Sequence, residues 1–199
     1  MNIRDYDDKD ERSWVICRLI SFLDCSYYDN VMKEKEKYEN PSVCLLAEED
    51  GQVIGIIDVE YEQNPGEVCY LSGKSGAVIW HLGVLPEFRG KGVADTLWNT
   101  AKKKLFEKGI ERFEVWTQDD ITANDWYNSQ GFMLKEAYLN AYIRGVPSDE
   151  HIRKYINTDC AGSFTGVRCF NFEVPIERKE EMEKICYRLH EVRLYEMCI

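Results

Sequence analysis

The sequence predicts an α/β fold: a mixed β-sheet with crossover connections, flanked by helices and followed by a C-terminal extension. Three observations carry that expectation. Two apolar strand patterns flank an Asp50-Gly51 hairpin signal. An apolar strand ending at Pro86 leads into a long amphipathic helix opened by glycines. Helix and strand patterns then alternate up to residue 144.

Residues 2–6 read as a short edge strand, and Asp8 or Asp10 caps a helix running to about Phe22, with Val15, Leu19 and Phe22 on one face. Residues 31–38 read as a second, highly charged helix ended by Asn40-Pro41. Strands at 43–47 and 52–61 form the hairpin. On the second of them Val53, Gly55, Ile57, Val59 and Tyr61 share one face, and Ile54, Ile56, Asp58, Glu60 and Glu62 share the other. Both faces start apolar, so the sheet is covered on both sides, and the second face turns acidic at Asp58. The loop 63–76 contains Gly73-Lys74-Ser75, but a nucleotide phosphate loop also needs a glycine where Val68 stands, so that reading is rejected. Residues 77–85 form the apolar strand. The helix from Gly90 to about Lys108 buries Val93, Leu97, Ala101 and Leu105 and stops at Gly109. A strand at 112–116, a short helix at 122–129 and a strand at 132–144 complete this part. Beyond it, 147–166 reads as irregular, 167–174 as a strand and 177–189 as a helix with Met182, Ile185, Cys186 and Leu189 on one side. Residues 192–197 extend that helix or form a strand.

The 199 residues suit one domain with an appendage: 1–144 as the main domain, 145–199 packing on it or making an oligomer contact, a homodimer through Met182, Ile185 and Leu189 being the alternative. Thirty-six acidic residues against 25 basic ones give a net charge of -11, which argues against nucleic acid or anionic membranes as partners and weakly favours a cationic substrate. No apolar run is long enough to cross a bilayer, and the acidic N-terminus is unlike a signal peptide. The eight cysteines form no CxxC pair, so no metal is expected; they read as free thiols in a reducing cytoplasm.

The chemistry concentrates at Val84-Leu85-Pro86-Glu87-Phe88-Arg89-Gly90-Lys91-Gly92-Val93-Ala94. A buried strand ends at a proline, and glycines start a helix. Such a junction lines up free backbone N–H groups at the positive end of the helix dipole, with no side chain between them and an anion. Arg89 and Lys91 add positive charge to an acidic chain. The physical reading is a pyrophosphate cradle.

Arg89, Gly92 and Ala94 reproduce the spacing R-x-x-G-x-A after a V-x-P strand end, which resembles the acetyl-CoA loop of the GNAT superfamily of N-acetyltransferases. Downstream, Trp126-Tyr127-Asn128-Ser129-Gln130-Gly131-Phe132 resembles that family's second signature, a short helix ending Y-x-x-x-G-F. The resemblance covers roughly residues 2–144. It implies a GNAT-like fold, acetyl-CoA as co-substrate and transfer of the acetyl group to an amine of a small molecule or peptide by direct attack. It places the CoA pyrophosphate on the backbone amides of Arg89, Gly90, Lys91, Gly92, Val93 and Ala94. The pantetheine arm lies along Leu82, Gly83 and Val84, with the Val84 N–H on the thioester carbonyl and Tyr127 as the acid that protonates the departing thiolate.

Two departures follow from the same resemblance. Trp80 stands where many members carry the proton-relaying carboxylate, leaving His81, Asp58 or Glu60 as the base. Strand parity sets Trp80, Leu82 and Val84 opposite His81 and Gly83, unless a bulge exchanges the faces. Asp58, Glu60 and Trp80 then face the acceptor. Asp120 occupies the position of a pantetheine-binding asparagine, and Asn124 either takes over that contact or bonds local backbone. The alternative to an enzyme is a CoA-binding sensor or scaffold without turnover.

Overall fold

The computed structural model describes residues 1–144 and 169–199, so the irregular segment expected at 147–166 lies outside it. The chain forms two compact units, Met1–Lys135 with Leu194–Ile199, and Glu136–Arg193.

In the first unit β1 (Asn2–Asp5) pairs antiparallel with β2 (Ser42–Glu49), β2 with β3 (Gln52–Tyr61) and β3 with β4 (Ala77–Val84), while β5 (Arg112–Thr117) runs parallel to β4. The β2–β3 turn places Asp50 at φ 50° and Gly51 at φ 78°, the two left-handed residues that match the twist of a hairpin. Helix α1 (Glu11–Phe22) sends Trp14 to Asp58, whereas Val93 and Leu97 of α2 (Val93–Phe106) lie against Gly55. Residues 55 and 58 point to opposite faces of β3, so the helices cover opposite sides of the sheet, as the doubly apolar start of that strand predicts. Helix α3 (Ile121–Ser129) follows β5.

Asp10 holds the N-cap position of α1 without a side-chain cap bond into that helix, and the side-chain cap comes from Asp7 one turn earlier. Asp7 accepts from the Lys9 N–H at the head of a 3-10 turn, Asp8–Asp10, that leads into α1. Asp10 is drawn elsewhere by a two-pronged ion pair with Arg4, at 2.6 and 3.0 Å.

The charged helix expected at 31–38 does not form; residues 30–41 contain neither helix nor strand. The segment has no apolar stripe at helical spacing to bury. Its side chains instead find partners on the acidic face of β3, and those tertiary contacts override helix propensity.

The second unit holds most of β6 (Met133–Arg144), its antiparallel partner β7 (Cys169–Pro175), the one-turn α4 (Lys179–Met182) and the first part of β8 (Arg188–Cys198). The helix expected over 177–189 is thus reduced to a single turn, and residues 192–197 are strand. Leu139, Ala141, Val174 and Met182 form a small core on which Ile185, Cys186 and Leu189 pack. The stripe read as an oligomer contact is therefore engaged inside its own unit. Among the described residues no helix is long and apolar enough to cross a membrane, and every described cysteine is a free thiol.

Candidate active site

The junction between β4 and α2 has the form the sequence predicts. Leu85 is followed by a 3-10 turn, Pro86–Phe88, and Gly90 and Gly92 take φ 69° and 77°. Gly92 sits at the N-cap of α2, and no side chain caps the helix. The Thr96 N–H is the first to close onto the helix, at the Gly92 carbonyl. The N–H groups of Gly90, Lys91, Gly92, Val93 and Ala94 have no acceptor among the described residues. A Cβ built at Gly90 or Gly92 meets nothing within 4 Å, so the notch in front of these amides is open.

Arg89 departs from the sequence expectation. Its N–H bonds to the Pro86 carbonyl, and its guanidinium donates to Val84 O at 3.2 Å and Ser21 O at 2.8 Å, fastening the loop to the end of α1. The amides that an anion can reach therefore start at Gly90. The Lys91 ammonium lies 5.1 Å from the Phe88 ring centre.

The left-handed φ at Gly92 makes a substitution there felt in the fold as well as in the notch. A valine there would sit in a backbone region that costs a β-branched residue on the order of 1–3 kcal/mol, and would also project into the open notch. Gly92→Val is expected to lower the melting temperature measurably and to weaken coenzyme A binding at least ~10-fold beyond that, read by calorimetry below the transition. A variant that melts early but binds normally would remove Gly92 from the cradle.

Parallel pairing between β4 and β5 runs from Ala77↔Phe113 to Ile79↔Val115 and stops there. The two strands continue to Val84 and Thr117, so they part. The Leu85 N–H donates to Ile54 O on the β3 side. By alternation the backbones of Leu82 and Val84 face the opposite way, toward the gap that β5 has left. That free edge leads directly into the cradle.

Helix α3 carries Tyr127, which is 7 % exposed and packed between Trp126, Phe132 and Tyr195, with ring centres 5.2, 5.5 and 6.2 Å away. Its hydroxyl has no hydrogen-bond partner among the described residues, and burial pushes the phenol well above its ordinary pKa. Asp95, in the first turn of α2, accepts from Trp126 Nε1 at 2.9 Å and Gln130 Nε2 at 3.0 Å, tying the Tyr127 helix to the cradle helix.

Asn124 does not fit a cofactor contact. Its Nδ2 donates to Gln118 O and Asp120 O at 2.7 and 2.8 Å, and its Oδ1 accepts from Tyr195 at 2.8 Å. The amide is buried and fully engaged by the protein, so the local-bonding reading holds. Gln118, just past the end of β5, has a buried Oε1 without a partner among the described residues. One glutamine in a polar run carries no pattern in the sequence that would single it out.

On the α1 side, β4 contains the bulge: Asp58 pairs with His81 and Val59 with Ile79, leaving Trp80 out of register. Four groups named from sequence meet here, and three of them are closed off. Asp58 is fully buried, accepting from Trp14 Nε1 at 3.3 Å and the Tyr38 hydroxyl at 3.0 Å, with the Lys35 ammonium 2.8 Å away. Glu60 accepts from the backbone and side chain of Asn40 and from Trp80 Nε1 at 2.8 Å. His81 accepts on Nδ1 from Arg18 Nε at 3.3 Å, which fixes its proton on Nε2, donated to Glu36 at 2.9 Å. Neither Asp58 nor Glu60 is free to receive a substrate, and His81 has no open nitrogen with which to act as a base. Trp80 stays 45 % exposed. Lys35, Glu36, Tyr38 and Asn40 all come from the irregular 30–41 segment, which lies as a strap over this face.

Just past the end of β3, Glu62 accepts four backbone N–H groups of the 63–76 loop, from Gly66, Val68, Cys69 and Gly76. Burial opposes its charge, but these bonds prevail and hold its carboxyl below the ordinary range. The acidic face of β3 thus pins irregular chain segments.

Amides without an acceptor among the described residues at a helix start, a parallel strand pair that parts ahead of it and a buried phenol on the helix tied to it form one continuous arrangement. The chain belongs to the acetyltransferase (GNAT) family, whose model matches residues 5–132. Among solved structures it is similar to a GNAT-family acetyltransferase from Streptococcus pneumoniae, at 16% identity and TM-score 0.58, covering 100% of this chain and 99% of that one. It is also similar to a GNAT-family acetyltransferase from Elizabethkingia anophelis with acetyl-CoA bound, at 12% identity and TM-score 0.52, covering 100% and 97%. The PaiA N-acetyltransferase of Thermoplasma acidophilum, in complex with coenzyme A, matches at 18% identity and TM-score 0.53 over 67% of this chain and 90% of its own. These likenesses establish the fold, and the family establishes an N-acetyltransferase.

Proposed function

We propose that the protein transfers an acetyl group from acetyl-CoA to the amine of a small molecule or peptide by direct attack, without an acyl-enzyme. The observation that carries this reading is the open run of N–H groups from Gly90 to Ala94, continuous with the free edge of β4. The pyrophosphate is held by those amides at the positive end of α2, and the pantetheine arm lies along Leu82, Gly83 and Val84 as an added strand. The Val84 N–H polarises the thioester carbonyl and holds the oxyanion. Tyr127 gives its proton to the departing thiolate and is restored by the proton that the tetrahedral intermediate loses from nitrogen. Its hydroxyl, without a hydrogen-bond partner among the described residues, supports this role, since no bond of the fold competes for its proton. The free thiols of the described residues support a reducing compartment such as the cytoplasm.

The sensor reading draws on a specific observation: Asp58, Glu60 and His81 all have internal partners, leaving none of them as an open base. Incubating the protein with acetyl-CoA and a panel of amines, and following free thiol, separates the two. Amine-dependent thiol release supports transfer; tight CoA binding without release from any amine supports the sensor.

A further inference from the structure

The strap leaves two groups open on the acceptor side of β4, and both are held rigidly from behind. The Trp80 indole is fixed by its bond to Glu60, yet the residue is 45 % exposed. The Glu36 side chain is fixed by its 2.9 Å bond to His81, itself locked by Arg18, yet it is 46 % exposed. The two are linked through β4: Glu36 is bonded to His81, the residue that follows Trp80 at the bulge. The His81 hydrogen bond, assisted by Arg18 and Lys35 nearby, holds the Glu36 carboxyl below its ordinary value despite burial, so it stays ionised. Charge at this spot remains negative, because Asp58, Glu60 and Glu36 outnumber Lys35 and Arg18. A carboxylate fixed on the residue next to an exposed indole offers the two kinds of group that recognise an organic cation. Pre-organisation by buried partners lowers the ordering cost of binding one.

The distance to the reacting centre decides what that cation is. His81 lies three residues from Val84 along β4, about 10 Å at strand spacing. Glu36 is bonded to His81 at that remove from Val84, a separation that suits a second charge on the same molecule.

We propose that Glu36 and Trp80 form a subsite for a second cationic group of the acceptor, so that the enzyme prefers diamines or polycations over monoamines. The preference rests on the acetyl-transfer reading above. Glu36 is a specificity-determining residue in it, and His81 a positioning residue.

The test uses the full chain and two acceptors of one length, diaminooctane and aminooctanol, which differ in whether the far end is charged. In the wild-type protein kcat/KM for the diamine should exceed that for the amino alcohol about 10-fold or more, mainly through KM. Glu36→Gln should bring that ratio close to one, and Trp80→Ala should reduce it. A merely structural Glu36 would lower both acceptors together and keep the ratio, which overturns the proposal, as does a wild-type ratio near one. If the wild type releases no thiol with either amine, the failure lies with the transfer reading, and calorimetry of CoA-loaded protein with diaminooctane decides the subsite. Binding that weakens about 10-fold in Glu36→Gln upholds it, and equal or absent binding overturns it.

Discussion

Tyr127→Phe is expected to leave coenzyme A binding and the melting temperature unchanged and to lower turnover about 10²-fold. The separation of effects follows from the surroundings of the side chain. The ring contributes the packing, against Trp126, Phe132 and Tyr195, and phenylalanine keeps it. The hydroxyl has no hydrogen-bond partner among the described residues, so removing it breaks no bond of the fold. A thiolate leaving without an acid must instead take its proton from water, and the loss falls on kcat. Thiol release under saturating acetyl-CoA, beside a calorimetric CoA titration, checks both halves. Unchanged turnover would reduce Tyr127 to a core aromatic.

The largest effect on stability is expected at Asp58. Asp58→Ala should destabilise the protein by about 3–5 kcal/mol, because it strands the Lys35 ammonium in a buried site among the Tyr6, Trp14 and Tyr38 rings, 4.6 to 5.4 Å from their centres. It also leaves the Trp14 N–H and the Tyr38 hydroxyl without an acceptor. The double variant Asp58→Leu with Lys35→Met should recover much of the loss, since no unpaired charge then remains. Chemical denaturation of the single and double variants measures this. Equal, additive losses would mean that the pair is not coupled. The pair also predicts a pH dependence. Burial opposes the Lys35 charge, but Asp58 outweighs it and raises its pKa. The stabilisation is therefore complete below the unfolded-state value, near 10.4, and is lost as pH rises through the higher folded value. Wild type should lose stability in that alkaline window, and Lys35→Met should not show this component.

The parts of the site made from backbone were legible in the sequence. Glycine spacing, a strand-ending proline and the following amphipathic helix are local signals, and the turn, the left-handed glycines and the helix start they predict are all present, with the Arg89 amide already bonded to Pro86. The hairpin and, apart from the helix expected at 31–38, the order of strands and helices to residue 144 were equally local. What escaped was set by distant partners. Residues 31–38 have helix-forming composition, yet their conformation is dictated by Asp58, Glu60 and His81. The single-residue bulge at Trp80 has no signature of its own, but it decides what stands beside His81. For the same reason Asp58 and Glu60 read as acceptor-facing acids, when they are the anchors of the strap, and Glu36 was indistinguishable from the charges around it. The spacing of Met182, Ile185 and Leu189 suited a helix, although these side chains reach one small core from a turn and a strand.

The grip on the diphosphate is open to direct observation in a proton–nitrogen correlation spectrum of the amides, recorded as coenzyme A is added. The Gly90, Lys91, Gly92, Val93 and Ala94 signals should shift most, and pantetheine, which lacks the pyrophosphate, should leave them nearly in place. Saturable coenzyme A binding with those five amides unmoved would contradict the cradle.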